Sequence, residues 1–349
     1  MSNVAFGVGL PLEKPLDELL GVARQAEELG YDYFWANDDR LQKDVFTVLA
    51  ASALATERIR LGPGVTNPYS RHPALIAAAV ATLDELSRGR AALGLGAGGT
   101  NHRALAVTRE APVATLREAV ELIRSLWAGS EVTFEGRVVR AVEAKLDFSP
   151  VREAVPIYIG ARGPRMLELA GEIADGVIVG NVATVEGWSY ALGRVTAGAE
   201  RVGRDPASVA GTAWIYSCIA DDENEALDAV RPMVATSLVT SRPILDDLGI
   251  EMPERFARVM ESLDWSLSHE ATERAGETIP DDIVLRFALA GAPAGCQKRL
   301  RDLLAAFPQI SQVVIVPFAG PGQRIADVVR RFMDEVARDA VPRATASGV

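Results

Sequence analysis

The sequence predicts an α/β fold organised as a (β/α)8 TIM barrel, and three observations carry that expectation. Short apolar runs of strand length alternate with amphipathic helical stretches, eight such runs occur, and no low-complexity linker divides the 349 residues. Nearly continuous apolar runs suit strands of a parallel sheet covered on both faces, and their alternation with helices gives βα units. Eight units favour a closed barrel over an open doubly wound sheet, which usually needs fewer strands.

The elements follow in order. The first run, Val4 to Gly9, leads to a helix whose buried stripe is Leu16, Leu19, Leu20 and Ala23 and which stops at Gly30. Tyr33 to Ala36 and Ile59 to Val65 are the next two runs, and Pro73 then stands where a first helical turn tolerates proline. Ala91 to Gly96 precedes a helix striped by Leu116, Ala119, Val120, Ile123 and Trp127. Residues 129–150 carry a small hairpin, Val132 to Val139, turning at Glu135-Gly136. Val155 to Gly160 runs into a helix opened by Pro164; Gly176 to Gly180 and Val209 to Ile219 follow. Residues 221–292 form a mostly helical excursion before the last unit, Val313 to Val316 with a helix striped by Ile325, Val328, Val329, Phe332, Met333 and Val336. The expectation is one barrel domain over residues 1–340, with 341–349 a disordered tail. The two insertions read as lids or subunit contacts.

Composition bounds the function. The chain is 48% hydrophobic and 24% charged, an ordinary globular balance. With 36 Lys and Arg against 47 Asp and Glu, the net charge of −11 opposes a sequence-independent grip on nucleic acid or an anionic membrane. Cys218 and Cys296 form no CxxC, so a reducing cytoplasm fits, and the first residues have no basic stretch ahead of a signal-like apolar run. An unprocessed cytoplasmic protein is expected.

Barrel ligands sit at the C-terminal ends of the strands, so the residues there are the candidates for chemistry. Strand 2 ends in Asn37-Asp38-Asp39-Arg40, strand 3 in Gly64-Val65-Thr66-Asn67-Pro68, strand 4 in Gly96-Ala97-Gly98-Gly99-Thr100-Asn101-His102, and strand 5 in Gly160-Ala161-Arg162-Gly163-Pro164. Glycine-rich backbone before a helix N-terminus makes an anion site, and Arg162 and Arg165 add charge; a tight βα turn is the bland alternative. Asp38 suits a proton donor or a hydrogen-bond acceptor, while Asp39, pointing the other way, is solvated or caps the second helix. His102 reads as a surface imidazole before a loop acid or base, and Phe34 and Trp35 as core. The glycines from Gly94 to Gly99 lack dinucleotide-fingerprint spacing; no phosphate loop, HExxH or GxSxG occurs; and His72, His102 and His269 are too scattered for a metal site, so none is expected.

At these strand ends the chain resembles the bacterial-luciferase-like superfamily, and within it the deazaflavin-dependent methylenetetrahydromethanopterin reductases. The likeness rests on Leu61-Gly-Pro-Gly-Val-Thr-Asn-Pro-Tyr69, Ala81-Thr-Leu-Asp-Glu-Leu-Ser-Arg-Gly-Arg90, the Gly94-Leu-Gly-Ala-Gly98 turn, and Pro156-Ile-Tyr-Ile-Gly-Ala-Arg-Gly-Pro164 followed by Ala174-Asp-Gly176. It implies a luciferase-like barrel binding coenzyme F420, or alternatively FMN, with the ring in the mouth and the phosphate near residues 160–164. It also implies a non-proline cis peptide at Gly64-Val65, forming a bulge behind the ring. The cofactor contacts so implied are Asp38, Gly64, Val65, Thr66, Asn67, Gly96, Ala97, Gly98, Gly160, Ala161, Arg162, Gly163 and Pro164, with Asp38 and Asp39 as the catalytic pair.

Departures from the family pattern fall on the substrate side. The pterin reductases carry a glutamate where this chain has Gly9 and an aspartate where it has Gly99, and related enzymes read Asp-His where it has Asp38-Asp39. The leading expectation is therefore an F420-dependent oxidoreductase moving a hydride between the deazaflavin C5 and a small organic substrate. An FMN-dependent monooxygenase and a non-catalytic cofactor-binding barrel are the alternatives. Arg71, His102 and Arg103 are further contacts for an anionic tail or substrate, and the resemblance implies a homo-oligomer, commonly a dimer.

Overall fold

The computed structural model describes residues 4–39, 41–98 and 104–340. In chain order its elements begin with β1 (Ala5–Leu10), α1 (Leu16–Leu29), β2 (Tyr33–Ala36), α2 (Val45–Ala55), β3 (Arg60–Pro63), α3 (Pro73–Leu86) and β4 (Leu93–Leu95). Then come α4 (Pro112–Trp127), β5 (Val132–Glu135), β6 (Arg140–Ala144), β7 (Ile157–Ala161), α5 (Pro164–Ile173), β8 (Gly176–Gly180), α6 (Val185–Arg201) and β9 (Ala210–Ile219). The remainder is α7 (Glu223–Thr240), α8 (Glu254–Ser262), α9 (His269–Gly276), α10 (Asp281–Phe287), β10 (Ala288–Gly291), α11 (Pro293–Ala306), β11 (Ile310–Pro317) and α12 (Ile325–Arg331). All eight expected strands form.

The molecule comprises two compact units. One takes residues 9–178 and 194–210. In it β2 lies parallel to β3, a bridge joins Leu61 to Ala91, β4 lies parallel to β7, and β7 neighbours β8. Helices α1 to α5 pack in succession, each against the next. Local sequence sets their ends. Gly30, at φ 87°, closes α1 in the left-handed region, Asp44 caps α2 by accepting the Thr47 N–H, and Pro73 and Pro164 sit in the first turns of α3 and α5. Trp35 and Phe34 are fully buried, and Trp35 stacks on Tyr33 at 5.6 Å and meets Tyr158 edge-on at 5.5 Å.

Two residues of the segment Ala81 to Arg90 hold this unit together. Arg90 donates to the carbonyls of Ala53, Thr56, Ile59 and Ser87, which closes the open C-terminal end of α2. Buried Asp84 accepts the Ala91 N–H and pairs with Arg152.

The other unit takes, among the described residues, 4–8, 179–193 and 211–340. Here β1 pairs parallel with β11, β11 with β9, and β9 with β10. Helix α7 packs on α9 and on β10, and α11 packs on β10. The final helix continues past Arg331 as a wider π-type stretch over residues 332–337, with Phe332, Met333 and Val336 buried as their spacing predicts.

Several expectations need correction. Ala288–Gly291, inside the stretch read as mostly helical, is a strand, because its four buried apolar residues extend along the end of β9 from Tyr216 to Ile219. The hairpin turns at residues 136–139 and its second arm reaches Ala144, since the Glu118 carboxylate gathers the N–H groups of Arg137, Val138 and Val139. Strand 3 stops at Pro63, short of Val65. The cap of α2 is Asp44 and not Asp39. The tail beyond 340 lies outside the described residues.

Candidate active site

The residues singled out at strands 2 to 5 all belong to the first unit described. The backbone crossing from β3 to α3 organises them. Gly64 donates to the Ala36 carbonyl, Thr66 donates to that of Gly94, and Gly96 donates back to that of Thr66. Between these anchors the Gly64-Val65 peptide is cis, as the resemblance implied.

Glycine is needed around that bulge for a steric reason. A Cβ built on Gly96 would lie 2.6 Å from Val65 Cγ2, one on Gly160 would lie 3.0 Å from Val65 Cγ1, and one on Gly94 would lie 3.1 Å from the same atom. Val65 thus lies in a socket left open because β4, the residue after it and β7 carry no side chain at these three positions, and Gly94 also makes way for the Pro63 carbonyl, 2.3 Å from where its Cβ would stand. The glycine density noted in the sequence serves Val65 there, and Gly98, at φ 72°, serves a left-handed turn.

Thr66 joins the bulge to strand 2. Its buried hydroxyl donates to Asp38 Oδ2 at 2.6 Å. Burial pushes the Asp38 pKa above the usual aspartate value; the Thr66 bond and the charge of Arg71 oppose this, and Asp44 and Asp39 add to it. Asp39 enters the chemistry as a neighbouring negative charge. Arg71 is held by Asp44 at 2.8 Å and lies 4.9 Å over the Phe46 ring, with its charge still acting on Asp38.

Asn67 is fully buried. Its Oδ1 accepts the N–H groups of Tyr69 and Ser70, an Asx turn, while its Nδ2 has no partner among the described residues. At the end of β7, Ala161 is the last strand residue and Gly163 precedes α5 with no side-chain cap and open space beside its Cα. Such an uncapped helix end is a ready anion site. The structure therefore brings together Asp38, Gly64 to Asn67, Gly96 and Gly160 by direct contact, and places Arg162, Gly163 and Pro164 where β7 enters α5. Arg40, Gly99, Thr100, Asn101, His102 and Arg103 lie outside the described residues.

Sequence reading missed Tyr69 and His72. Tyr69 donates its hydroxyl to the Glu110 carbonyl, and His72 caps α3 through Nδ1 while donating Nε2–H to the Arg140 carbonyl. The Asn-Pro-Tyr-Ser order, a turn signature, was the available signal. A groove of ≈ 510 Å³ lies elsewhere, beside Val155 and Asp175 at the opposite ends of the strands, where Arg124 and Arg204 cap the last carbonyls of α5. Among the described residues no cluster of His, Cys, Asp or Glu has a metal-site arrangement, and no helix is long and apolar enough to cross a membrane.

Residues 3–308 match the family model described as luciferase-like monooxygenase. A 5,10-methylenetetrahydromethanopterin reductase of Archaeoglobus fulgidus is 34% identical over 91% of this chain and 95% of its own length. An F420-dependent glucose-6-phosphate dehydrogenase of Amycolatopsis mediterranei is 30% identical over 95% of each chain. Among solved structures, the coenzyme F420 dependent tetrahydromethanopterin reductase of Methanopyrus kandleri superposes with a TM-score of 0.85 at 29% identity, covering 96% of this chain and 99% of that one. An F420-dependent secondary alcohol dehydrogenase in complex with an F420-acetone adduct, 21% identical, shares the fold with a TM-score of 0.78 over 97% and 99% of the two chains. The fold class is thus the luciferase-like (β/α)8 barrel that the sequence predicts.

Proposed function

The chain belongs to the luciferase-like monooxygenase family, and from that premise we propose that it is an F420-dependent oxidoreductase, moving a hydride between C5 of the deazaflavin and a small organic substrate. The observation that carries the reading is the Asp38–Thr66 pair standing directly beside the Val65 bulge, in a chain similar over 95% of its length to a dehydrogenase named for F420 and over 96% to a solved reductase named for it.

The residues present suit such a cofactor. Buried Asn67 Nδ2 is a donor without a partner among the described residues, and the uncapped start of α5 at Gly163 suits a phosphate. Gly160, Ala161, Arg162, Gly163 and Pro164 would hold that phosphate. Gly64, Val65, Thr66, Asn67, Gly96, Ala97 and Gly98 would border the ring. Val65, fixed in its glycine socket, gives the ring a rigid wall.

Asp38 does the proton work. Burial holds its carboxyl protonated further towards neutrality than an exposed aspartate, which suits it to donate a hydrogen bond or a proton. Thr66 fixes the carboxyl by donating to Oδ2. Gly9, buried in β1, presents no carboxylate, so a pterin held through an acid at that position is not part of the reading.

Titration of the purified protein with F420 and, separately, with FMN tests this. Saturable F420 binding with weaker or no FMN binding is expected. Tight FMN binding with no affinity for F420 overturns the assignment in favour of flavin chemistry.

A further inference from the structure

We propose that Tyr69 is a positioning residue that aims the Asn67 carboxamide at the bound cofactor; the inference rests on the F420 reading above. The loop from Asn67 to His72 is tied at nearly every residue to a different part of its unit. Asn67 Oδ1 accepts the backbone N–H groups of Tyr69, at 3.1 Å, and Ser70, at 2.9 Å. Tyr69 Oη donates to the Glu110 carbonyl at 2.8 Å, just ahead of α4. Arg71 pairs with Asp44 at the start of α2, and His72 donates to Arg140 of β6 at 2.9 Å.

These ties have one shared consequence. The orientation of an Asx-turn amide is set by the backbone it caps, so whatever fixes Tyr69 and Ser70 fixes where Nδ2 of Asn67 lies. That nitrogen is fully buried without a partner among the described residues, a position normally held by a hydrogen bond. Glu110 O also accepts from Thr115 Oγ1, so removing the Tyr69 hydroxyl takes away one tie of the loop without orphaning the carbonyl. Tyr69 therefore acts through Asn67.

A double-mutant cycle read by F420 affinity separates this role from general support. Asn67→Ser keeps an oxygen to cap the turn and removes the amide donor. Tyr69→Phe is expected to raise the F420 dissociation constant roughly threefold to tenfold in the native background, from the loss of one oriented hydrogen bond. In the Asn67→Ser background it should change nothing further. His72→Asn keeps the cap of α3 but cannot reach Arg140, and it should show the same dependence on Asn67. The inference is overturned if both variants bind F420 as the native protein does, or if their effects persist in full on top of Asn67→Ser. Native protein that fails to bind F420 at all overturns the functional reading and this inference together, a result distinct from the other two.

Discussion

Val65 and Gly96 occupy one space: the Val65 Cγ2 methyl lies 2.6 Å from where a Gly96 Cβ would stand. A branched side chain has no torsion free to retreat along, so the pair is mutually exclusive in size. Gly96→Ala is expected to cost about 1–3 kcal/mol of stability by overpacking and to weaken F420 binding, because the wall moves. Val65→Ala in the same chain should recover much of the thermal stability. Denaturation of the single and double variants checks the coupling; additive losses would show that the two side chains do not compete.

Asp38 ties stability to pH in the direction opposite to an ion-paired acid. Its folded pKa is raised above the ordinary 3.8, chiefly by burial. The unfolded chain then loses this proton first as pH rises, so the stability that Asp38 contributes is full below its unfolded pKa and lost as pH climbs through its folded value. At neutral pH the native carboxyl is a net cost. Asp38→Asn should therefore raise the melting temperature at pH 7 more than at pH 4, while turnover falls by about a hundredfold or more. An equal shift at both pH values contradicts the burial argument, and undiminished turnover removes Asp38 from the chemistry.

The sequence made the strands legible because burial on both faces leaves apolar runs that nothing else explains, and Tyr33–Ala36 and Gly176–Gly180 match to the residue. Ala288–Gly291 was not legible: four apolar residues at the end of a helical stretch are too few to show a period of their own, and their pairing with Tyr216–Ile219 is a long-range fact. Asp38 and the glycines could be placed at strand ends, but the reason for Gly160 could not, since it lies in Val65, almost a hundred positions earlier. Tyr69 and His72 stayed hidden because their partners are backbone carbonyls, which leave no mark on residue type.

Glu27 carries a second, acid-sensitive load. Its carboxylate gathers the N–H groups of Glu57, Arg58 and Ile59 immediately ahead of β3, and these bonds hold its pKa below 4.5 despite partial burial. A depressed carboxyl contributes stability that is present above its unfolded pKa and lost as pH falls through its folded value. Glu27→Gln should destabilise the protein by roughly 1–3 kcal/mol at pH 7, in keeping with hydrogen bonds to a charged group. Chemical denaturation at pH 7 and pH 4 reads this, and the gap between native and variant should narrow in acid. A gap that stays constant means the backbone turn stands without the charge.

The start of α5 offers the sharpest separation between binding and stability. Gly163 has φ −72° and ψ 149°, the backbone of a helix cap, and open space where a side chain would go, yet it bonds no cap of its own. Aspartate fits that backbone and would accept the Arg165 N–H, which follows Pro164 in the first turn, while complementing the helix dipole, a gain of about 0.5–1 kcal/mol. The same carboxylate would fill and charge the place proposed for a phosphate. Gly163→Asp is therefore expected to melt at a higher temperature than the native protein and to bind F420 at least tenfold more weakly, about 1.4 kcal/mol, with Gly163→Ala close to native in affinity. A phosphate bound elsewhere would leave the aspartate variant stabilised and its F420 affinity unchanged.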